Sequence, residues 1–194
     1  MTLLGTLLKN RRAGDSQSAW NLENLQCEEL LRVTSGCFAE GGPIPLEHAG
    51  RRVGGKNLSP DLTWSAPAHA TTRLLLVVED LDVPIFKPAV HCLALIDTSQ
   101  LARANHLPLG ALAAKEPGTG VRILRSTVTR GYHGPEPIKG HGPHHYTFEL
   151  FALSGTLITD GHEAKLERTR PRDVLAALVA PVTARGRLTG TYER

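Results

Sequence analysis

Apolar positions in this chain come in short runs and seldom recur with a helical period. Residues 73–79 (RLLLVVE) and 90–96 (VHCLALI) are apolar on both faces, which predicts two strands at the centre of a packed sheet. Only a short connection that includes residues 84–89 lies between them, so the two are expected to pair antiparallel. Further strands are predicted over 28–35, where Leu31 and Val33 share a face, and over 121–128, 146–153 and 187–192. Helical spacing occurs near both ends. Leu3, Leu4, Leu7 and Leu8 predict a short amphipathic helix. Val174, Leu175, Leu178, Val179 and Val182 predict a second one, opening at Pro171 and kinked or ended by Pro181. Residues 58–64 read as irregular, 100–120 as a long loop, and 131–143 as a loop rich in Gly and Pro. The pattern is that of a mainly β chain with one helix near each end.

Composition narrows the class. The chain has 194 residues, no internal repeat and no dividing linker, so one domain is expected over 1–194, with 1–20 as an N-terminal helical extension. Its 19 Gly and 13 Pro exceed the usual share and fit a turn-rich β protein. Aromatic residues are only 5%, and the net charge of +3 is carried by scattered residues and the pairs Arg11-Arg12 and Arg51-Arg52. Neither suits a nucleic-acid surface, so no nucleic-acid partner is expected. No apolar run approaches the ~20 residues of a membrane span. Lys9, Arg11 and Arg12 follow the leucines, the reverse of the order in a signal peptide. Cys27, Cys37 and Cys92 are odd in number and lack CxxC spacing. They fit a reducing compartment, and a cytoplasmic location is expected.

Two short stretches carry the candidate chemistry. Asp80 and Asp82 follow the apolar run 74–78, and His144 and Tyr146 lead into the strand predicted over 146–153. In extended backbone, residues two apart point to one face. The spacing therefore predicts Asp80 aimed with Asp82, and His144 with Tyr146, while His145 faces away. Two carboxylates held together share a proton, because like charges raise one pKa strongly. Taken singly, each stretch has another reading. Asp-x-Asp after an apolar strand suits a metal-dependent phosphatase that uses one Asp as nucleophile and the other as acid. The run His141, His144, His145 suits zinc, although adjacent His144 and His145 point to opposite strand faces. Asp160 and Asp173 stand alone, so the further acidic pair that a bound Mg²⁺ would need is missing.

Read in order, these stretches and others resemble the phosphatidylethanolamine-binding proteins, and most closely their bacterial and fungal Raf-kinase-inhibitor-like branch. The resemblance runs from about residue 38 to 192. Asn57-Leu58-Ser59-Pro60 with Leu62 and Trp64 is similar to the family's N-x-S-P-x-L-x-W, and residues 80–84 (DLDVP) to its D-P-D-A-P. Gly131-Tyr132, Gly134-Pro135, Pro137 and Gly140 follow G-Y-x-G-P-x-P-x-G; His144-His145-Tyr146 follows H-R-Y; and Tyr192 sits in the closing G-x-Y. The resemblance implies an antiparallel β-sandwich with the two terminal helices. It also implies a non-catalytic anion pocket made by Asp80, Asp82, His91, His144 and Tyr146, with Pro84 shaping its wall and Gly142 offering backbone N–H. The implied ligand is a phosphate-like anion or phospholipid head group, with no cofactor. A kinase or protease partner and a homodimer are further implications. A cis Val83–Pro84 bond is a further expectation, since X–Pro lowers its cost.

Overall fold

The computed structural model describes residues 3–68, 71, 73–158 and 165–194. Its elements run α1 (Leu3–Leu8), β1 (Val33–Thr34), β2 (Leu62–Trp64), β3 (Arg73–Asp80), β4 (Ala89–Asp97), β5 (His106–Leu107), β6 (Val121–Ile123), β7 (His144–Leu153), α2 (Pro171–Ala177) and β8 (Val182–Tyr192), with short 3-10 turns between them. Five strands form an antiparallel sheet in the order β6-β4-β3-β7-β8, and three form a smaller one in the order β1-β2-β5. The chain is thus mainly β, with two antiparallel sheets and few helices.

The strand at the centre explains why its sequence shows no alternation. Leu74, Leu76 and Val78 of β3 pack with Val33, Leu62, Trp64 and Leu107 of the small sheet. Leu75 and Val77 pack on the other side with Ala19, Leu25 and with Val174 and Leu175 of α2. A strand covered on both faces reads as continuously apolar. Each such leucine, fully buried, stabilises the fold by roughly 1.5–3 kcal/mol.

Element ends differ from the sequence expectation where distant residues intervene. Helix α2 stops at Ala177, before Pro181. The Asn24 side-chain amide donates to the carbonyls of Leu175 (2.9 Å) and Leu178 (3.0 Å), and Val179 N–H donates to Leu157 O (3.0 Å). Those partners end the helix one turn early, and β8 begins at Val182 instead of residue 187. Strand β6 ends at Ile123, because the chain turns and closes through Ser126 and Thr129. Residues 58–64 hold β2 and the long loop 100–120 holds β5. All peptide bonds among the described residues are trans, Val83–Pro84 included. The turn at Pro84 closes through Ile85 N–H donating to Val83 O at 2.8 Å, which a trans bond permits.

Candidate functional site

The site lies where β3, β4 and β7 end on the small-sheet side. Asp80 is the last residue of β3 and pairs in register with Tyr146 of β7. His144, two residues before Tyr146, shares its face. His91 arrives there by an irregularity. The β3–β4 register shifts between Val78 and Glu79, so that Val78 pairs with Cys92 but Glu79 with Val90. His91 is the extra residue of a β-bulge, a device that re-aims a side chain. Val90 packs on the α2 side, while the His91 ring meets Tyr146 edge-on, with centroids 5.3 Å apart at 81°.

A continuous polar chain runs inward from the surface. His144 Nδ1 lies 2.8 and 2.9 Å from the two Asp80 oxygens, and its Nε2 lies 2.7 Å from His141 Nδ1. His141 Nε2 donates to Leu8 O (2.8 Å) and Arg11 O (3.1 Å). Carbonyls only accept, so Nε2 of His141 carries a proton, and each of the two remaining links needs one more. The triad therefore holds one proton beyond a carboxylate and two neutral rings. Its net charge is zero, wherever along the chain that proton sits. Asp80, His141, His144 and Tyr146 are all essentially buried.

Two groups beside this chain have spare capacity. The Tyr146 hydroxyl is buried and makes no hydrogen bond of normal geometry among the described residues. Burial, then the nearby Asp80 charge, pushes its pKa far up, so it stays a hydroxyl. His91 Nδ1 donates to His133 O at 2.7 Å. Burial lowers the His91 pKa from 6.5, against the opposing pull of Asp80. Neutral His91 thus keeps an acceptor at Nε2, which becomes a donor only on protonation. The loop that fixes this tautomer is held by Asn57, whose amide donates to Tyr132 O (2.8 Å) and accepts from Gly134 N–H (2.7 Å). The Asn57 and Gly131-Tyr132 motifs therefore act on the site through His133 and His91.

Asp82 goes elsewhere. It lies in the turn beyond β3, where strand alternation no longer applies, and its backbone N–H donates to Asp80 Oδ1 at 2.9 Å. Its carboxylate accepts from Arg12, from His145 N–H (2.6 Å) and from His145 Nδ1 (2.7 Å). Burial would raise its pKa, but the hydrogen bonds from Arg12 and His145 outweigh it and hold the group below the usual carboxylate range. The two aspartates therefore do not share a proton; the His141–His144 pair supplies the compensating one. The His145 ring stands about half exposed on the outer side and swings to Asp82.

A segment of the chain's own N-terminus covers the site. Gly5 of α1 lies so close to the 139–141 loop that an added Cβ would stand 2.2 Å from Lys139 O, so the approach needs glycine. Residues 8–14 then cross the mouth. Arg12 donates to Asp82 and to Pro143 O (2.9 Å), Ala13 N–H to Val83 O (2.9 Å) and Gly14 N–H to Leu81 O (2.8 Å). Gly142, with φ of +100°, shapes the loop beneath; its Cβ position would be 3.3 Å from the Arg12 guanidinium. Pro84 lines an outer groove of 550 Å³ with Asn10, Arg11, Arg12 and Phe86 rather than the inner site.

The structure thus brings together Asp80, His91, His144 and Tyr146, places Asp82 at the outer edge, and sets Pro84 and Gly142 on the rim. Two participants were not expected, His141 as the second imidazole and Arg12 as the outer cation. His141 was visible only as a member of the His run, and Arg12 only as half of a basic pair. Among the described residues no group of three His, Cys, Asp or Glu side chains is arranged to hold a metal ion, so neither the zinc reading nor the phosphatase alternative gains support. Asp160 lies outside the described residues. All three cysteines are free thiols, and no described helix is long and apolar enough to cross a membrane.

Comparison with known proteins agrees with this fold. Residues 34–193 match the family model described as phosphatidylethanolamine-binding protein. A UPF0098 protein of Mycobacterium tuberculosis is 36% identical over 166 residues, which cover 85% of this chain and 71% of that protein. LppC of the same organism, whose name marks it a candidate lipoprotein, is 32% identical over 166 residues, covering 85% of this chain and 73% of LppC. The crystal structure of Escherichia coli YbcL, described as a member of the mammalian PEBP family, superposes with a TM-score of 0.69 at 27% identity, covering 84% of this chain and 98% of YbcL. Residues 8–14, which cover the site, lie outside the span that the family model matches.

Proposed function

Because the chain belongs to the phosphatidylethanolamine-binding protein family, we propose that its inner site binds a phosphate-like anion, of the kind carried by a phospholipid head group, without chemical turnover. The observation that carries the reading is the buried Tyr146 hydroxyl, which has no hydrogen bond of normal geometry among the described residues and lies beside His91 and Asp80. A buried hydroxyl left unsatisfied costs about 1–3 kcal/mol, which a ligand oxygen would recover. The charge balance favours an anion. The chain of Asp80, His144 and His141 carries no net charge, so it offers a phosphate little net repulsion. Protonation of His91 then adds a positive charge and a second donor.

The sign of the pH dependence follows. The His91 pKa is depressed, so its proton is gained only below about pH 6.5. Affinity for a phosphomonoester therefore rises as pH falls through and below that value. Isothermal titration with phosphoserine, at about pH 5.5 and about pH 8, tests it. Binding at least tenfold tighter at the lower pH is expected. Equal affinity at both, or none at either, removes the reading. Residues 8–14 close the site, so a ligand enters as that segment lifts, and slow association is expected.

A further inference from the structure

The segment over the site is held in the manner of a bound peptide. Four of its contacts use backbone alone: the carbonyls of Leu8 and Arg11 accept from His141, and the N–H groups of Ala13 and Gly14 donate to the carbonyls of Val83 and Leu81. Such bonds take any side chain. One contact is chemically selective, the Arg12 guanidinium on the Asp82 carboxylate and Pro143 carbonyl, a set of acceptors whose one charge is negative. Asp82 is kept ionised there by hydrogen bonds, as a cation receptor requires. Gly14, with φ of +75°, adds a backbone conformation that favours glycine. Peptide grooves divide the work in this way, with main chain for affinity and a few side-chain subsites for specificity.

We propose that the groove between residues 81–83 and 141–145 is a peptide-recognition site for an extended segment of the form Arg–small–Gly, supplied by a protein partner. In the isolated chain it is filled in cis by Arg12-Ala13-Gly14. The groove uses Asp82, His141 and the backbone of the two loops, and does not need an anion bound at Tyr146. A tethered segment competes at an effective concentration on the order of millimolar, so a partner binds wild-type protein weakly and a strap-weakened protein well.

The test uses the full-length chain and a fluorescent peptide of residues 6–16 (TLLKNRRAGDS). Arg12→Ala empties the guanidinium subsite, and Ala13→Pro separately removes the N–H that Val83 accepts. By anisotropy, each variant is expected to bind the peptide at least tenfold more tightly than wild type. A peptide whose residue 12 is Ala should lose at least tenfold on the same variants. Excess inorganic phosphate should leave these affinities unchanged, which separates this result from the fate of the anion reading. Equal binding by wild type and both variants, or equal binding of the Arg and Ala peptides, overturns the proposal. A dimer formed by wild type and abolished by Arg12→Ala would make a second copy the occupant, and would also overturn the assignment to a protein partner.

Discussion

Asp80 with His144 and Asp82 with His145 are the same two residue types, two and one positions apart along the same two segments, and they do different work. The inner pair is sealed, with side chains 3% and 2% exposed, and the imidazole passes its second nitrogen to His141. The outer pair is 10% and 48% exposed and has recruited Arg12. In the inner pair the charge is cancelled within a closed hydrogen-bond chain, so breaking any link leaves a buried charge. In the outer pair the carboxylate is ionised and shared between Arg12 and His145, both of which water also reaches. What separates them is where the strand stops: Asp80 ends it, and Asp82 sits in the turn after it.

The largest effect that would break this comparison comes from deleting each aspartate. Asp80→Ala strands a shared proton on buried imidazoles and is expected to cost about 3–5 kcal/mol in chemical denaturation. Asp82→Ala, facing partly hydrated partners, should cost about 1 kcal/mol. Equal costs would show that the two pairs are not distinct. A smaller effect concerns the ligand. Tyr146→Phe removes a hydroxyl that has no hydrogen bond of normal geometry, so stability should hold or rise, while phosphoserine affinity at about pH 5.5 falls roughly tenfold, the worth of one hydrogen bond. A variant that binds as well as wild type would place the ligand elsewhere.

The opposite face of the same strands sharpens the contrast, because there buried acids lack an imidazole. Glu79 accepts from Ala19 N–H (2.6 Å) and pairs with Arg172, and burial still lifts its pKa to about 7 despite the arginine. Both oxygens of Glu149 are buried without a hydrogen bond of normal geometry among the described residues, and burial, then the Glu79 charge, pushes its pKa well up. These pKa values exceed those of the unfolded chain, so the folded state binds more protons. The contribution of Glu79 is present below about pH 4.5 and is lost as pH rises through about 7, and that of Glu149 is lost in the same direction as pH rises. Glu149→Gln should flatten that loss and raise the thermal midpoint near pH 8 by about 2–4 °C. No change in slope would mean that Glu149 is not the titrating group. The smallest effect is that of His145→Ala, expected within about 0.5 kcal/mol of wild type, since its ring lies half in solvent.

Much of this was legible along the chain, and the failures share a cause. The central strands β3, β4 and β7 declare themselves because both their faces are covered, which leaves runs such as 74–78 with no polar position. The alignment of His144 with Tyr146, and the outward His145, follow from alternation within β7. Alternation could not place Asp82, because it ends with β3. It would have sent His91 to the wrong face, since the bulge opposite Glu79 exists only in the β3–β4 pairing. The end of α2 depends on Asn24, and the outer cation on Arg12; both lie far from their partners in sequence, and no local pattern announces such a contact.

The proposed anion site rests on Tyr146 and His91 beside an Asp80–His144–His141 chain of no net charge. Histidine side-chain NMR, following the His91 ring through a pH titration with and without saturating inorganic phosphate, tests it most directly. By linkage, an anion that binds protonated His91 better must raise its pKa by the same factor. An upward shift of about one unit is expected, for a tenfold preference, with His145 nearly unmoved. A His91 titration unchanged by phosphate, or a shift confined to His145, would contradict it.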